Sequence, residues 1–339
     1  ASLETNVKRA RITHNTINVQ KNRTFHAGTT PQLTHPLANS ATYSSTTISY
    51  RTQKSVWDNF VANIFKYLKT LNLHRQRMVP SDDMGSVSLD DQILAQQREI
   101  ENEVAASQPL IGNKESLDRL VKEYSQDTAS RFYEKAVQLQ NKYTFLRRVR
   151  GDGNCFYRAV AFSLCEKLLQ NRENVDYYLA LLDAWQTCME KLGYQNLTIT
   201  EFFETFADLL TCIKNGMTEE QLLARFNDQY MSDYSVVFMR LITAGYMLEN
   251  VILFEGFIEG GRTVREFCSS EVEPMGRECE HVSIMALVNA LDISLRIEYL
   301  DQSQAIGNNQ MHHSVNDNNN DKMEMYFLYR PGHYDILYC

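Results

Sequence analysis

Apolar residues recur along the chain with periods that change from one stretch to the next, and the periods predict its elements. Trp57, Phe60, Val61, Ile64, Phe65, Leu68 and Leu71 repeat at helical spacing, which predicts an amphipathic helix ending by Pro80, with a polar, glycine-containing linker over 81–88. A second helix is predicted over 89–109, where Asp90 and Asp91 complement the dipole of the first turn and Pro109 ends it. Its apolar residues Leu89, Ile93, Ile100 and Val104 are interrupted by Gln96 and Gln97, so that face is too thin for a core and suits an arm that meets a partner.

From Leu117 the pattern becomes that of a packed domain, opening with a helical stretch through Leu120, Val121 and Tyr124 to Phe145. No proline occurs between Leu110 and Glu273, which permits long helices. Tyr177, Leu181, Leu182, Trp185, Met189 and Leu192 mark one of them. Thr198-x-x-Glu201, Thr218-x-x-Gln221 and Thr263-x-x-Glu266 read as capping boxes, in which each side chain satisfies an otherwise unpaired backbone N–H of the other residue. The first is expected to open a helix with Ile199, Phe202, Phe203, Phe206, Leu209, Leu210 and Ile213 on its apolar face. Toward the C-terminus the period drops to two. Ile293, Leu295, Ile297 and Tyr299 alternate with smaller or polar residues, and 325–329 and 334–338 are short aromatic-rich runs, all predicted as strands. The asparagine-rich stretch 304–322 between them is predicted as a surface loop. Helices first and strands last give an α+β domain, with a helical part packed on a small sheet.

Composition divides the chain further. Its 339 residues are 43% apolar and 22% charged, as in ordinary globular proteins, and the net charge is −8. The first 55 residues carry +6 and include 22 Ser, Thr or Asn, leaving −14 for the rest. A disordered basic tail over 1–55 is expected, then the extra helix and linker over 56–88, the arm over 89–116 and a domain over 117–339. A transit-peptide reading of the tail lacks an Arg-bearing amphipathic helix. Acidity argues against nucleic acid as a partner, and no apolar stretch approaches the roughly 18 residues needed to span a bilayer. Seven cysteines, odd in number and spread singly, suit reduced thiols and a cytoplasmic location.

The candidate chemistry lies in Gly151-Asp152-Gly153-Asn154-Cys155-Phe156-Tyr157-Arg158-Ala159. Two glycines flanking Asp152 allow a tight turn, and Phe156, Val160, Phe162, Leu164 and Leu168 continue as a buried helix, so Cys155 stands at a helix N-terminus. Unpaired N–H groups there favour a thiolate and can receive an oxyanion. Such a nucleophile needs a base that also protonates the leaving group. In Pro331-Gly332-His333-Tyr334-Asp335, His333 and Asp335 would point to the same side of a strand, letting the carboxylate orient the imidazole. Taken singly, a cysteine opening an apolar helix is most often a core residue and a histidine near a chain end is most often exposed. Their conjunction reverses that balance. Cys165, Cys188, Cys212 and Cys268 fall in helical apolar patterns and read as core. Cys279-x-His281 and His312-His313 lack a second pair at zinc spacing, so no metal site is expected; His281 is read as opening or lining a helix over 282–291 and His312 and His313 as solvated.

The segment from Asp152 to Ala159 resembles the active-site signature of the ovarian-tumour cysteine proteases, specifically the otubain branch of deubiquitinases. Phe226-Asn227-Asp228-Gln229, 257–264, Glu271-Val272-Glu273-Pro274-Met275 and 329–338 extend the likeness, in the same order, from about Leu89 to the C-terminus. The resemblance implies that Cys155 is the nucleophile, His333 the general base and acid, and Asp335 its orienting acid. Asp152 is then counted with the active site, and the backbone of its turn with the oxyanion hole. It further implies hydrolysis of ubiquitin isopeptide bonds without metal or organic cofactor, and cytoplasmic or nuclear action. Ile93, Gln96, Gln97 and Ile100 resemble the arm of the first otubain type, which contacts the proximal ubiquitin and confers preference for the degradation-linked chain. Phe254, Phe257, Ile258 and Glu259 resemble a segment near the distal ubiquitin. Two alternatives follow: a mainly non-catalytic protein that occupies ubiquitin-charged conjugating enzymes, or a hydrolase of another ubiquitin-like protein.

Overall fold

The computed structural model describes residues 107–125, 130–194, 196–301, 312–315 and 322–339; the expected tail, the helix after it and the arm up to residue 106 lie outside the described residues. In chain order the elements are β1 (Glu115–Ser116), α1 (Asp118–Glu123), α2 (Arg131–Gln140), β2 (Phe145–Arg147), α3 (Cys155–Gln170), α4 (Val175–Lys191), α5 (Asn196–Lys214), α6 (Glu219–Asn227), α7 (Gln229–Glu249), α8 (Val251–Phe254), α9 (Val264–Phe267), α10 (His281–Ala290), β3 (Ile293–Tyr299), β4 (His312–Val315), β5 (Met323–Arg330) and β6 (His333–Tyr338). The strands make one sheet in the order β1-β2-β6-β5-β3-β4, antiparallel except where β3 lies beside β5. This is the α+β arrangement expected from the sequence.

Alternation along β6 assigns its side chains to two layers. On one face Phe156 of α3 packs edge-on against Tyr334 of β6 and Phe327 of β5, with ring centroids 5.2 and 6.0 Å apart. On the other, Leu120 of α1 and Ala136 and Leu139 of α2 close over Leu146, Leu300, Leu328 and Leu337. Covering both faces explains β3, which is buried at Ser294 and Glu298 as well as at its apolar positions. Behind α3 stands the helical layer, centred on α7, whose residues are buried almost continuously from Ser232 to Leu248. Phe238 of α7 stacks on Phe206 of α5 at 4.3 Å, and Phe162 of α3 meets Phe226 of α6 at 5.3 Å. Each such ring contributes about 2–3 kcal/mol through burial.

Several expectations are corrected. The helical stretch from Leu117 to Phe145 is two helices, the second opened by Ser130, whose hydroxyl accepts from the Tyr133 N–H; Phe145 then begins a strand because it pairs with Tyr338 of β6. Capping boxes form at Thr218 and Thr263, but the helix expected to open at Thr198 starts at Asn196. The stretch 304–322 is not all loop, since His312–Val315 pair with β3 as an edge strand. Leu110 and Ile111, read as the end of the arm, are 1% exposed, and Ile111 bridges to Val149; the packed fold includes them. Cys188 and Cys212, read as core, are only partly buried, because each lies on the flank of its helix between an exposed neighbour, Thr187 or Thr211, and a buried one, Met189 or Ile213, whereas Cys165 and Cys268 are buried.

Candidate active site

The site assembles where the N-terminus of α3 meets the start of β6. Gly153 has φ +73°, a conformation that suits glycine, and a Cβ there would lie 2.2 Å from the carbonyl oxygen of Gly276. The turn is braced internally. Asp152 Oδ1 accepts from the Asn154 N–H at 3.0 Å, and the carboxylate is held by the wholly buried Arg158, with Nη1 2.8 Å from Oδ1 and Nη2 2.8 Å from Oδ2. Arg158 also donates to Ser232 Oγ of α7 at 2.9 Å. The Asp152 carboxylate is thus held by Arg158 and by the turn itself, so it shapes the backbone around Cys155. The Asp152 N–H is committed to the Arg150 carbonyl at 3.1 Å. The Cys155 N–H, in the first turn of α3, has no intrahelical acceptor and is available to an oxyanion.

His333 opens β6, with 19% of its side chain exposed, and Asp335 follows two residues later on the same side of the strand, wholly buried. Nε2 of His333 lies 2.9 Å from Asp335 Oδ1, which leaves Nδ1 for the Cys155 thiol, its other hydrogen-bond partner. Gly151 lies against that edge of the ring: a Cβ on it would come 3.4 Å from Nδ1. Asp335 Oδ1 also accepts from the Val149 N–H at 2.9 Å, and Oδ2 accepts from Arg330 at 2.5 Å with Arg148 3.7 Å away. Burial works to raise the Asp335 pKa, but His333, Arg330 and the Val149 N–H together hold it below the usual carboxylate value. For His333, burial works downward, while the hydrogen bonds and charges of Asp335 and Cys155 raise the pKa to about 9. Near neutral pH the ring is an imidazolium facing the Cys155 sulfur.

That arrangement can carry out acyl transfer. The Cys155 sulfur, its proton held on Nδ1 of the imidazolium, attacks a carbonyl carbon, the oxyanion is received by the helix-end N–H, and His333 passes that Nδ1 proton to the departing amine, breaking the C–N bond. The neutral imidazole then takes a proton from the water that hydrolyses the thioester. A cleft of about 970 Å³ reaches His333 and Gly151 from the side of Gln108, Pro109 and Lys114, giving a leaving group a route past the imidazole.

The structure brings Cys155, His333 and Asp335 together, with Asp152 beside them in a bracing position. Ile93, Gln96, Gln97 and Ile100 lie outside the described residues, as do the side chains of His312 and His313. His281 opens α10, as read. Phe257 is 65% exposed, Glu259 exposed and Ile258 half-buried, but Phe254 is turned into the protein, its ring 6.0 Å from that of Tyr246, because α8 packs its last residue against α7. Sequence reading passed over Ile252, the most exposed large apolar residue described, at 86%; the uninterrupted Val251-Ile252-Leu253-Phe254 run was its signal. It also missed Arg158 and Arg330 as partners of the two acids, although both stand inside the motifs that it singled out. Among the described residues no group of His, Cys, Asp and Glu could hold a metal ion.

A protonated imidazole held against a cysteine sulfur at a helix end is the working pair of a cysteine hydrolase, carried here on an α+β frame. Comparison with known proteins narrows the class. Residues 103–339 match the family described as Peptidase C65 Otubain, and the chain belongs to that family. It is 41% identical over 258 residues to human ubiquitin thioesterase OTUB1, covering 76% of this chain and 93% of that protein. It is 39% identical over 260 residues to the ovarian tumor domain-containing deubiquitinating enzyme 1 of Arabidopsis thaliana, covering 71% and 85% of the two chains. Among solved structures, it superposes on the otubain chain of the h/ceOTUB1–ubiquitin aldehyde–UBC13~Ub complex with a TM-score of 0.70 and 36% identity, over 74% of this chain and 98% of that one.

Proposed function

We propose that the protein is a deubiquitinating cysteine protease that hydrolyses isopeptide bonds of polyubiquitin, with Cys155 as nucleophile, His333 as general acid and base, and Asp335 as its orienting carboxylate. The observation that carries this reading is the hydrogen-bonded line from Asp335 through His333 to Cys155 at the N-terminus of α3, in a chain of the otubain family. Ile252, Leu253 and Phe257, exposed by 86, 46 and 65%, form an apolar surface suited to the distal ubiquitin, with Ile258 and Glu259 beside it. The acidic remainder of the chain complements a partner that is basic in part. Residues 89–107 act as the arm that selects the degradation-linked chain, and the seven singly spread thiols suit work in the cytoplasm and nucleus.

A ubiquitin carrying a C-terminal electrophile should form an adduct with Cys155; an adduct that persists in Cys155→Ala would overturn the assignment of the nucleophile. Linkage-defined chains then test the arm, since deleting 89–107 should abolish chain preference while probe labelling continues. A second reading is favoured by the solved complexes of related proteins with UBC13~Ub and UBCH5B~Ub: the protein also binds ubiquitin-charged conjugating enzymes and blocks transfer. Cys155→Ala should retain that inhibition, and its loss would refute this second role.

A further inference from the structure

Behind the nucleophile turn lies a guanidinium with no acid to meet it. Arg240, on α7, is 0% exposed, and among the described residues no carboxylate comes within ion-pairing distance of it. Its neighbour Arg158 differs, having Asp152 at 2.8 Å and Asp233 at 3.6 Å. The hydrogen bonds of Arg240 run to uncharged acceptors: Nη1 donates to the Val272 carbonyl at 2.9 Å, and Nη2 to the carbonyls of Gly153 at 3.1 Å and Arg277 at 2.7 Å and to Asn154 Oδ1 at 2.9 Å. Asn154 Oδ1 also accepts from the Gly276 N–H at 2.8 Å. The guanidinium lies over the Tyr157 ring, 4.2 Å from its centroid.

Two consequences follow. The peptide unit between Gly153 and Asn154 is fixed at both ends, its carbonyl by Arg240 and its N–H by the Asp152 carboxylate. That removes the rotation by which the turn could swing the next N–H, that of Cys155, away from an oxyanion. The charge is the second. Burying a cation without a counterion is costly, and such groups cluster at functional sites. Burial works to lower the Arg240 pKa, and the ionisable groups around it that work the other way include Tyr157, Cys279, Asp152 and Cys155. Burial keeps Tyr157 neutral and pushes the Cys279 thiol up to about 12, and Asp152 is already paired with Arg158. Cys155 follows directly on Gly153 and Asn154, both of which Arg240 holds, and it is the group of this turn whose reaction with a carbonyl forms an anion.

We propose that Arg240 is a positioning residue of the nucleophile turn, holding it through Gly153 and Asn154 and supplying the fixed positive charge that favours the thiolate of Cys155. The proposal rests on the cysteine-protease reading above. Its test compares Arg240→Lys, which keeps the charge and loses the fork, with Arg240→Gln, which loses both, in the full chain. Alkylation of Cys155 by iodoacetamide against pH, followed on its own peptide by mass spectrometry, reads the thiolate without any ubiquitin. Turnover of a ubiquitin substrate gives kcat and KM separately, and thermal melting measures folding.

For Arg240→Lys the alkylation profile should stay with the wild type's while kcat falls about tenfold to a hundredfold, with KM changed by less than about threefold. For Arg240→Gln the profile should also move up by about one pH unit. Variants that melt earlier but keep the wild-type profile and kcat per folded molecule would overturn the proposal, leaving Arg240 a packing residue. If neither variant folds, Asn154→Ala, which removes an acceptor from the other side, should lower kcat without moving the profile; an unchanged kcat would also overturn it. Wild-type protein that is inert toward ubiquitin would sink the functional reading alone, because the alkylation profiles still decide what the charge does.

Discussion

Asp335→Asn isolates the charge of the orienting residue, since asparagine keeps the size and an acceptor toward Val149 and His333. In the native site burial works against the imidazolium, but Asp335 and Cys155 raise the His333 pKa to about 9. At pH 8 such a group is about 90% protonated, whereas one relaxed to its ordinary value of about 6.5 is about 3% protonated. The protonated donor therefore falls by up to about thirtyfold at pH 8 and by only about 1.3-fold at pH 6. Cys155 retains part of the elevation, so thirtyfold is a ceiling. The variant also deprives Arg330 of the acid at 2.5 Å, leaving Glu123 at 3.8 Å, and should lose about 2–3 kcal/mol of stability. The assay is kcat/KM on a ubiquitin substrate from pH 5.5 to 9.5, corrected for the folded fraction. The alkaline limb should move down in the variant, widening its deficit as pH rises. A deficit of constant size across that range would refute the electrostatic role and leave Asp335 a purely geometric one.

The remaining predictions concern the frame. Gly153→Ala puts a Cβ against the Gly276 carbonyl at positive φ, so activity should fall more than about tenfold and stability by about 1–3 kcal/mol, read by turnover and melting; a variant with native kcat would show that the turn can relax. Phe156→Ala removes a ring that is 1% exposed and lies between α3 and the sheet, which should cost about 3–5 kcal/mol in denaturant unfolding. Glu273 is buried, and desolvation raises its pKa to about 7 against the hydrogen bond from Tyr194 and the charge of Arg265. Its favourable contribution is complete below the unfolded value of about 4.5 and is lost as pH rises through about 7. Glu273→Gln should therefore be more stable than wild type at pH 8, by up to about 3 kcal/mol, and by less than about 1 kcal/mol at pH 5.

Legibility in the sequence followed the range over which each feature is determined. The boxes at Thr218 and Thr263 formed because each four-residue motif contains both partners. Strand β6 and the pairing of His333 with Asp335 were readable for a similar reason, since period two places residues i and i+2 on one side. Phe145 and His312–Val315 were misread because their strand character comes from partners far away in the chain, Tyr338 and β3, and not from their own pattern. The burial of Phe254 was likewise hidden, since the run Val251–Phe254 looks uniformly apolar and only packing on α7 decides which of its residues turns inward.

The two buried arginines show where local pattern fails at the site itself. Arg158 stands three residues beyond the nucleophile in a helix that otherwise reads as core, and Arg240 interrupts Val236-Val237-Phe238-Met239 and Leu241-Ile242 with no acid in the turns around it. A charged residue within such a run has two physical outcomes: its stem reaches water, or it is buried and finds partners in the fold. The length and apolarity of α7 exclude the first at Arg240, because no polar stripe surrounds it. Burial therefore follows from the sequence, but the acceptors do not, since Gly153, Val272 and Arg277 lie 87, 32 and 37 residues away. A cation committed to the core with no acid in its own turns is thus a legible sign that something else in the fold needs a positive charge, and here the group that needs it is the thiol at the end of α3.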